Sequence, residues 1–310
     1  MKNAWVIAQR EYSRFFTTSV SYAVAFAILL IVGLIFGLVV FQASNAAFTG
    51  GAYGGVPAPD IKIISEWFTI MLVLSVPAVT MRLISDENRM GTLELLLTAP
   101  VQDWELIVGK WLGGLLFLLT VLVVTLIYPV ILNIYETTGT NLQWPVLSLV
   151  LLVIALVAMF WNLVTGHRLE GLLILLGIWI VAIVAAILLY QFSVQGIDWG
   201  LTLSSYLGLI LVSAAFLGMG VGISSLFSNQ VAAFFVSLGV FMLFWWILGF
   251  IGQFTQGSAS DIFNYLAMGN HFNNNLNIGT VNLSDIIYYL SLTALGLFTG
   301  TVATETRRWS

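Results

Sequence analysis

Long, uninterrupted apolar runs constrain this chain more than any other feature. They lie at about 20–41, 63–83, 107–134, 145–165, 171–191, 202–227, 231–252 and 285–304. Each is close to the roughly 20 residues that a helix needs to cross the hydrocarbon core of a bilayer. Inside hydrocarbon every backbone N–H and C=O must be satisfied within the protein, so only helices and closed barrels cross. A barrel would show short alternating segments, which are absent here. The sequence therefore predicts an all-α integral membrane protein with about eight transmembrane helices. Composition agrees, with 60% hydrophobic and 8% charged residues, against about 25% charged in a soluble domain.

The first run begins only at about Val20 and is not preceded by the basic region, short apolar core and small-residue site of a cleaved signal peptide, so the N-terminus is expected to be retained. With no cysteine, disulfides, thiolate metal sites and thiol nucleophiles are excluded. A net charge of -4, dispersed along the chain, does not suggest nucleic acid as a partner.

Lys and Arg in short loops orient membrane helices. A cytoplasmic N-terminus places Lys2, Arg10, Arg14, Arg82, Arg89, Lys110, Arg168, Arg307 and Arg308 inside and only Lys62 outside. Both termini are then expected in the cytoplasm of a multi-pass protein. Before the first crossing, residues 1–18 read as an interfacial helix. Trp5, Ala8, Tyr12, Phe15 and Phe16 share one arc, and Gln9, Arg10, Ser13 and Arg14 share the other, with Val6 and Ile7 interrupting the polar side. The rings would sink into lipid, with the arginines near anionic headgroups. The Gly/Ala/Pro-rich stretch Ala43–Asp60 and the polar segment 254–284 read as extracytoplasmic loops.

Between Met81 and Trp111 the chain concentrates Arg82, Asp86, Glu87, Arg89, Glu94, Asp103, Glu105 and Lys110, out of ten basic and fourteen acidic residues in all. A bare turn would need only a few residues. Gly91 would permit a sharp turn, Thr92–Thr98 is expected to form a short helix with Leu93, Leu96 and Leu97 on one side, and Pro100 should end it. Asp103 is placed to cap the next helix. Two readings stand: a solvated loop that enforces topology, or a stiff amphipathic element that docks in a partner's groove.

Here the sequence resembles the permease subunits of ABC-2-type transporters, particularly the branch that includes gliding-motility and nitrous-oxide-reductase-maturation permeases. The resemblance lies in Glu87-Asn-Arg-Met-Gly91-Thr92-Leu93-Glu94 running to Pro100, then Asp103-Trp104-Glu105 and Gly109-Lys110. It extends to Gln9-Arg10-Glu11-Tyr12, to Tyr206-Leu-Gly-Leu with Ala214-Ala-Phe216 and Ser224-Ser225, and to Asp285-Ile-Ile-Tyr-Tyr-Leu290. It implies a single permease domain over 1–310, with a six-helix core, a cytoplasmic coupling helix within 84–106, and an additional hairpin over 145–191 that the usual six-span pattern lacks. The resemblance makes Glu87, Arg89, Gly91, Thr92, Leu93, Glu94, Leu96, Leu97 and Pro100 the contact to a separate ABC ATPase subunit. A second permease, identical or homologous, and membrane lipids are the other expected partners, in a prokaryotic cytoplasmic membrane.

The chain has no phosphate-cradling G-x-x-x-x-G-K-[ST] motif, so ATP and Mg are expected in the partner, with no cofactor, metal or catalytic residue here. The alternative is an ion-driven secondary transporter, which would need ionisable or unwound sites near mid-membrane. Glu66, Asn133 and Glu136 instead fall near the outer ends of spans. An intramembrane protease would need a paired histidine, but His167 and His271 fall in loops on opposite sides and read as ordinary loop residues. Trp67, Trp144, Trp161 and Trp199 suit interfacial anchoring. Pro77 and Pro129 are expected to bend their helices. Gly33-x-x-x-Gly37 and Gly218-x-Gly220-x-Gly222 allow close helix packing, more readily within one subunit than between two.

Overall fold

The computed structural model describes residues 2–48, 61–84, 102–138 and 198–308. Its α-helices are α1 (Lys2–Phe15), α2 (Ser19–Phe48), α3 (Ile61–Thr80), α4 (Asp103–Thr125), α5 (Ile127–Thr138), α6 (Trp199–Leu226), α7 (Gln230–Met242), α8 (Leu248–Phe254), α9 (Ser258–Leu266), α10 (Met268–Asn273) and α11 (Leu283–Arg308). A π-turn, Leu243–Ile247, joins α7 to α8, and a 3-10 turn, Leu276–Ile278, follows α10. Every regular element among the described residues is helical, as the apolar runs predict.

Six stretches are long and apolar enough to cross a membrane: Ser19–Gln42, Ile61–Thr80, Asp103–Leu132, Trp199–Leu226, Gln230–Phe254 and Leu283–Thr306. They coincide with six of the eight expected runs. The runs at 145–165 and 171–191 lie outside the described residues, as do 85–101 with the expected coupling residues Glu87, Arg89, Gly91, Thr92, Leu93, Glu94, Leu96, Leu97 and Pro100.

Helix α6 forms the centre of the bundle, buried along most of its length between α3, α4 and α11. Missing side chains bring the backbones together. A Cβ on Gly218 would stand 2.9 Å from the Thr293 carbonyl, and one on Gly222 would stand 2.5 Å from the Gly296 carbonyl. Gly296 in turn lies directly on the Gly218 backbone. Gly220 faces the other way, where a Cβ would meet Thr80 Oγ1 of α3 at 2.6 Å. The glycine triplet thus packs within one chain, as expected of small residues in membrane helices.

The third crossing is broken where Pro129 requires it. Proline has no N–H to offer the carbonyl four residues earlier, which belongs to Thr125 at the end of α4. The Tyr206 hydroxyl of α6 donates to that carbonyl at 2.8 Å. A lost helical bond is thereby replaced by one that fixes α4 to α6.

Two ends of the bundle differ. Thr80 meets Gly220, Leu83 and Leu217 approach Gly114, and Ile107 meets Gly300, so α1, the end of α3, the start of α4 and the ends of α6 and α11 share one end. At the opposite end the expected polar loop 254–284 is instead a helical cap made of α9, α10 and the 3-10 turn. Ala267, Met268, Phe272 and Leu276 are fully buried. Phe272 lies across Gly208 of α6, where a Cβ would come within 2.8 Å of the ring. Gly269 rests on the Trp245 carbonyl of the π-turn, and the Trp245 ring is 6.0 Å from Phe272 and 5.8 Å from Phe216. The asparagines made this segment look like a solvated loop, yet Ala267, Met268, Phe272 and Leu276 anchor it to the core while Phe254, Ile262 and Ile278 stay exposed. Gly257 (φ 66°) and Gly279 (φ 96°) supply the left-handed turns that fold it back.

Candidate functional site

The described residues on either side of 85–101 converge on α1. Helix α1 lies along the first half of α4, and two glycines make this possible. A Cβ on Gly109 would come within 2.7 Å of Ile7 Cβ and 2.9 Å of the Ala4 carbonyl, and one on Gly113 within 2.7 Å of Glu11 Cβ. Between them, Lys110 Nζ donates to Glu11 Oε1 at 3.2 Å. The side chains of this pair are 1% and 7% exposed. Such burial is tolerable only for a paired and hydrogen-bonded charge.

Other contacts align the two helices from end to end. Asn3 Nδ2 donates to Glu105 Oε2 at 2.9 Å, and the Tyr12 hydroxyl is 3.0 Å from Thr120 Oγ1. Phe15 stacks on Phe117 with centroids 4.9 Å apart, and Phe16 meets the same ring edge-on at 6.0 Å. At the α1–α2 turn a cleft is lined by Glu11, Arg14, Thr18 and Ser21 on one side and by Arg82 and Leu83, shortly before 85–101, on the other. Helix α1 therefore packs on the return flank of 85–101, at Glu105 and Lys110, and shares a cleft with the exit flank at Arg82 and Leu83.

The interfacial arc divides differently from the sequence reading. Ala4, Ala8, Glu11, Phe15 and Phe16 are buried, and Tyr12 is half-buried. Trp5, Val6 and Arg10 are exposed, and Arg14, half-exposed, lies 3.9 Å from Glu11. Ile7, which seemed to spoil the polar side, is the residue that fits Gly109. The buried stripe faces α4 and not lipid, because Lys110 provides a partner for Glu11 on that side. The helix begins one residue earlier than expected, with Gln102 and not Asp103 at the cap position, and Asp103 and Glu105 in its first turn.

The cap end carries a second polar cluster. Asn277, 1% exposed, accepts from Ser65 Oγ at 2.7 Å and Ser205 Oγ at 3.2 Å, and donates to the Lys62 carbonyl at 3.3 Å and Glu66 Oε1 at 3.4 Å. One amide thus joins the starts of α3 and α6 to the cap. His271 is likewise no ordinary loop residue: it is buried, with Nδ1 2.7 Å from Asp285 Oδ1. Among the described residues no group of three His, Cys, Asp or Glu side chains could hold a metal ion.

The family model for ABC-2 family transporter proteins matches residues 58–295, more than two thirds of the chain. The chain belongs to the ABC-2 transporter family. A search of curated proteins finds no match. Within this ABC-2 protein, the matched residues run from just before α3 through the cap to the middle of α11. Helix α1 lies outside them but is held by Gly109, Lys110 and Gly113, which lie within. The short motif Gly109-Lys110 was visible in the sequence, as was Gln9-Arg10-Glu11-Tyr12. Their mutual contact was not, since nothing local links positions 99 residues apart.

Proposed function

We propose that this multi-pass ABC-2 membrane protein is the permease subunit of an ATP-driven exporter. A separate ABC ATPase subunit, which binds ATP and Mg, acts on it through Glu87, Arg89, Gly91, Thr92, Leu93, Glu94, Leu96, Leu97 and Pro100. The observation that carries this reading is the packing of α1 on the return flank of that segment, beside a cleft that it shares with the exit flank. A push on 85–101 that displaces Glu105 and Lys110 is passed to α1, which holds both. Through Phe117 and Thr120 the displacement reaches the body of α4, and through Leu217 beside Gly114 it reaches the central α6.

Charge distribution supports a cytoplasmic location for this end. Arg10, Arg14, Arg82 and Lys110 gather there, while Lys62 starts α3 at the cap end, the arrangement that the positive-inside rule favours. The membrane would then be the prokaryotic cytoplasmic membrane, with both termini inside and the cap outside. A second permease copy or a homologue completes the translocation path.

The direct test is nucleotide binding. The purified chain should neither bind nor hydrolyse ATP, and vesicles holding it should move substrate only when an ABC ATPase and ATP are supplied. Saturable ATP binding by the chain alone, or transport driven by an ion gradient without the ATPase, would overturn the proposal.

A further inference from the structure

The cleft at the α1–α2 turn is built at one level of the bundle. Val20 and Ser21 belong to the first turn of the crossing Ser19–Gln42, Ala78 and Val79 to the last turn of Ile61–Thr80, and Arg14 and Arg82 lie just outside these crossings. The cleft therefore straddles the boundary between apolar crossings and polar end. Its α1 wall is held in place. The Tyr22 hydroxyl donates to the Phe16 carbonyl at 2.7 Å and the Thr17 N–H to the Arg14 carbonyl at 3.0 Å, which ties the turn carrying Arg14 to α2.

Charge in the cleft is one-sided. The lining holds two guanidinium groups and one carboxylate, and that carboxylate, Glu11, already accepts from Lys110 at 3.2 Å. Arg14 stands farther off, 3.9 Å from the other Glu11 oxygen. Thr18 Oγ1 and Ser21 Oγ, 2.7 Å apart, place two hydroxyls on the α2 wall. This end of α2 is also the positive pole of a 30-residue helix. On the crossing side, Val20 and Ala78 leave half-buried apolar surface.

We propose that this cleft binds the phosphate of an anionic phospholipid. Guanidinium forks match the geometry of a phosphate, and basic pockets between membrane helices take lipid headgroups. Arg14 and Arg82 hold the phosphate oxygens from two sides, and the acyl chains run along Val20 and Ala78. Inorganic phosphate would satisfy the arginines but leave that apolar wall bare, which favours lipid as the source. A bound headgroup bridges α1 and the exit flank of 85–101. The site rests on the membrane crossings and not on the coupling role of that segment.

The unfolding midpoint of the chain purified in detergent, followed as lipid is added, provides the test. Phosphatidylglycerol should raise it saturably, and phosphatidylcholine and inorganic phosphate should not. Arg14→Gln with Arg82→Gln should raise the half-saturating phosphatidylglycerol concentration about tenfold or more, the scale of a charge-assisted hydrogen bond. Arg14→Lys with Arg82→Lys keeps both charges but loses the forks; it should also bind more weakly, and it decides the matter if the glutamine protein does not fold. Arg10→Gln, on an exposed part of α1 outside the cleft, should bind as the native chain does. Native affinity in the lysine protein, or an equal loss with Arg10→Gln, would overturn the proposal in favour of diffuse charge attraction. Equal stabilisation by inorganic phosphate would overturn lipid as the ligand. No ATPase is present, so failure here leaves the coupling proposal standing, and ATP binding by the chain alone would leave the lipid site standing.

Discussion

Lys110 Nζ meets Glu11 Oε1 at 3.2 Å in a site closed to solvent, joining the first helix of the chain to the helix that follows the charged segment. Removing one partner of a buried pair typically costs about 3–5 kcal/mol, whereas replacing both with apolar groups can be nearly neutral. Lys110→Met alone should therefore lower thermal stability strongly, and Glu11→Leu with Lys110→Met should recover most of it. Unfolding midpoints of the four proteins of this cycle, in one detergent, measure the coupling. Additive losses would mean that the two charges do not interact.

Glycines on α6 provide a second comparison. A side chain on Gly222 would press on the Gly296 carbonyl at 2.5 Å, and backbone cannot move aside as a flexible side chain can. Overpacking of this kind costs about 1–3 kcal/mol or more, so Gly222→Ala should lower the unfolding midpoint. Gly239 of α7 has nothing within 4 Å of a Cβ. Gly239→Ala should be neutral or should gain up to about 1 kcal/mol from helix propensity.

At the cap end, Asn277→Ala should loosen the starts of α3 and α6 together. Ser65 and Ser205 would lose their shared acceptor, although the Ser65 hydroxyl can turn to the Ile61 carbonyl of its own helix, 2.7 Å away. The expected cost is about 1–3 kcal/mol. Proteolysis of residues 61–70 and 258–278 should speed up in parallel, and an effect confined to one segment would contradict the shared role.

How far these relationships were legible in the sequence depends on how local they are. A membrane crossing is set by length and apolarity, and six runs were readable for that reason. The α6 glycine triplet was readable as a close contact, since a missing side chain lets a neighbouring helix approach the backbone. The interfacial arc was only partly legible. Helical spacing placed the rings together, but which side is buried was decided by Lys110 and by the space beside Gly109 and Gly113, a hundred residues away. His271 was misread for the same reason: its partners are a carbonyl at Tyr265 and a carboxylate at Asp285, brought together by turns at Gly257 and Gly279. A polar composition also concealed the cap, where four buried apolar residues outweigh a run of asparagines.

Topology can be probed without background, because the chain has no native cysteine. Ser44→Cys and Ser258→Cys should react with an impermeant thiol reagent from outside, and Ser85→Cys and Thr165→Cys only after permeabilisation. External labelling at position 165 alone would remove the additional hairpin, and labelling at 85 would reverse the whole orientation.

The central claim is that the charged segment receives the ATPase's motion. Its most direct measurement is stimulation of the partner ATPase by Glu94→Lys and Glu136→Lys, reconstituted side by side. Reversing a charge at a docking face opposes association without altering the apolar crossings. Glu94→Lys should insert normally and abolish stimulation, while Glu136→Lys, at the opposite end, should stimulate as the native chain does. Normal hydrolysis and transport with Glu94→Lys, together with failure of Glu136→Lys, would contradict the account and leave the segment as a solvated loop.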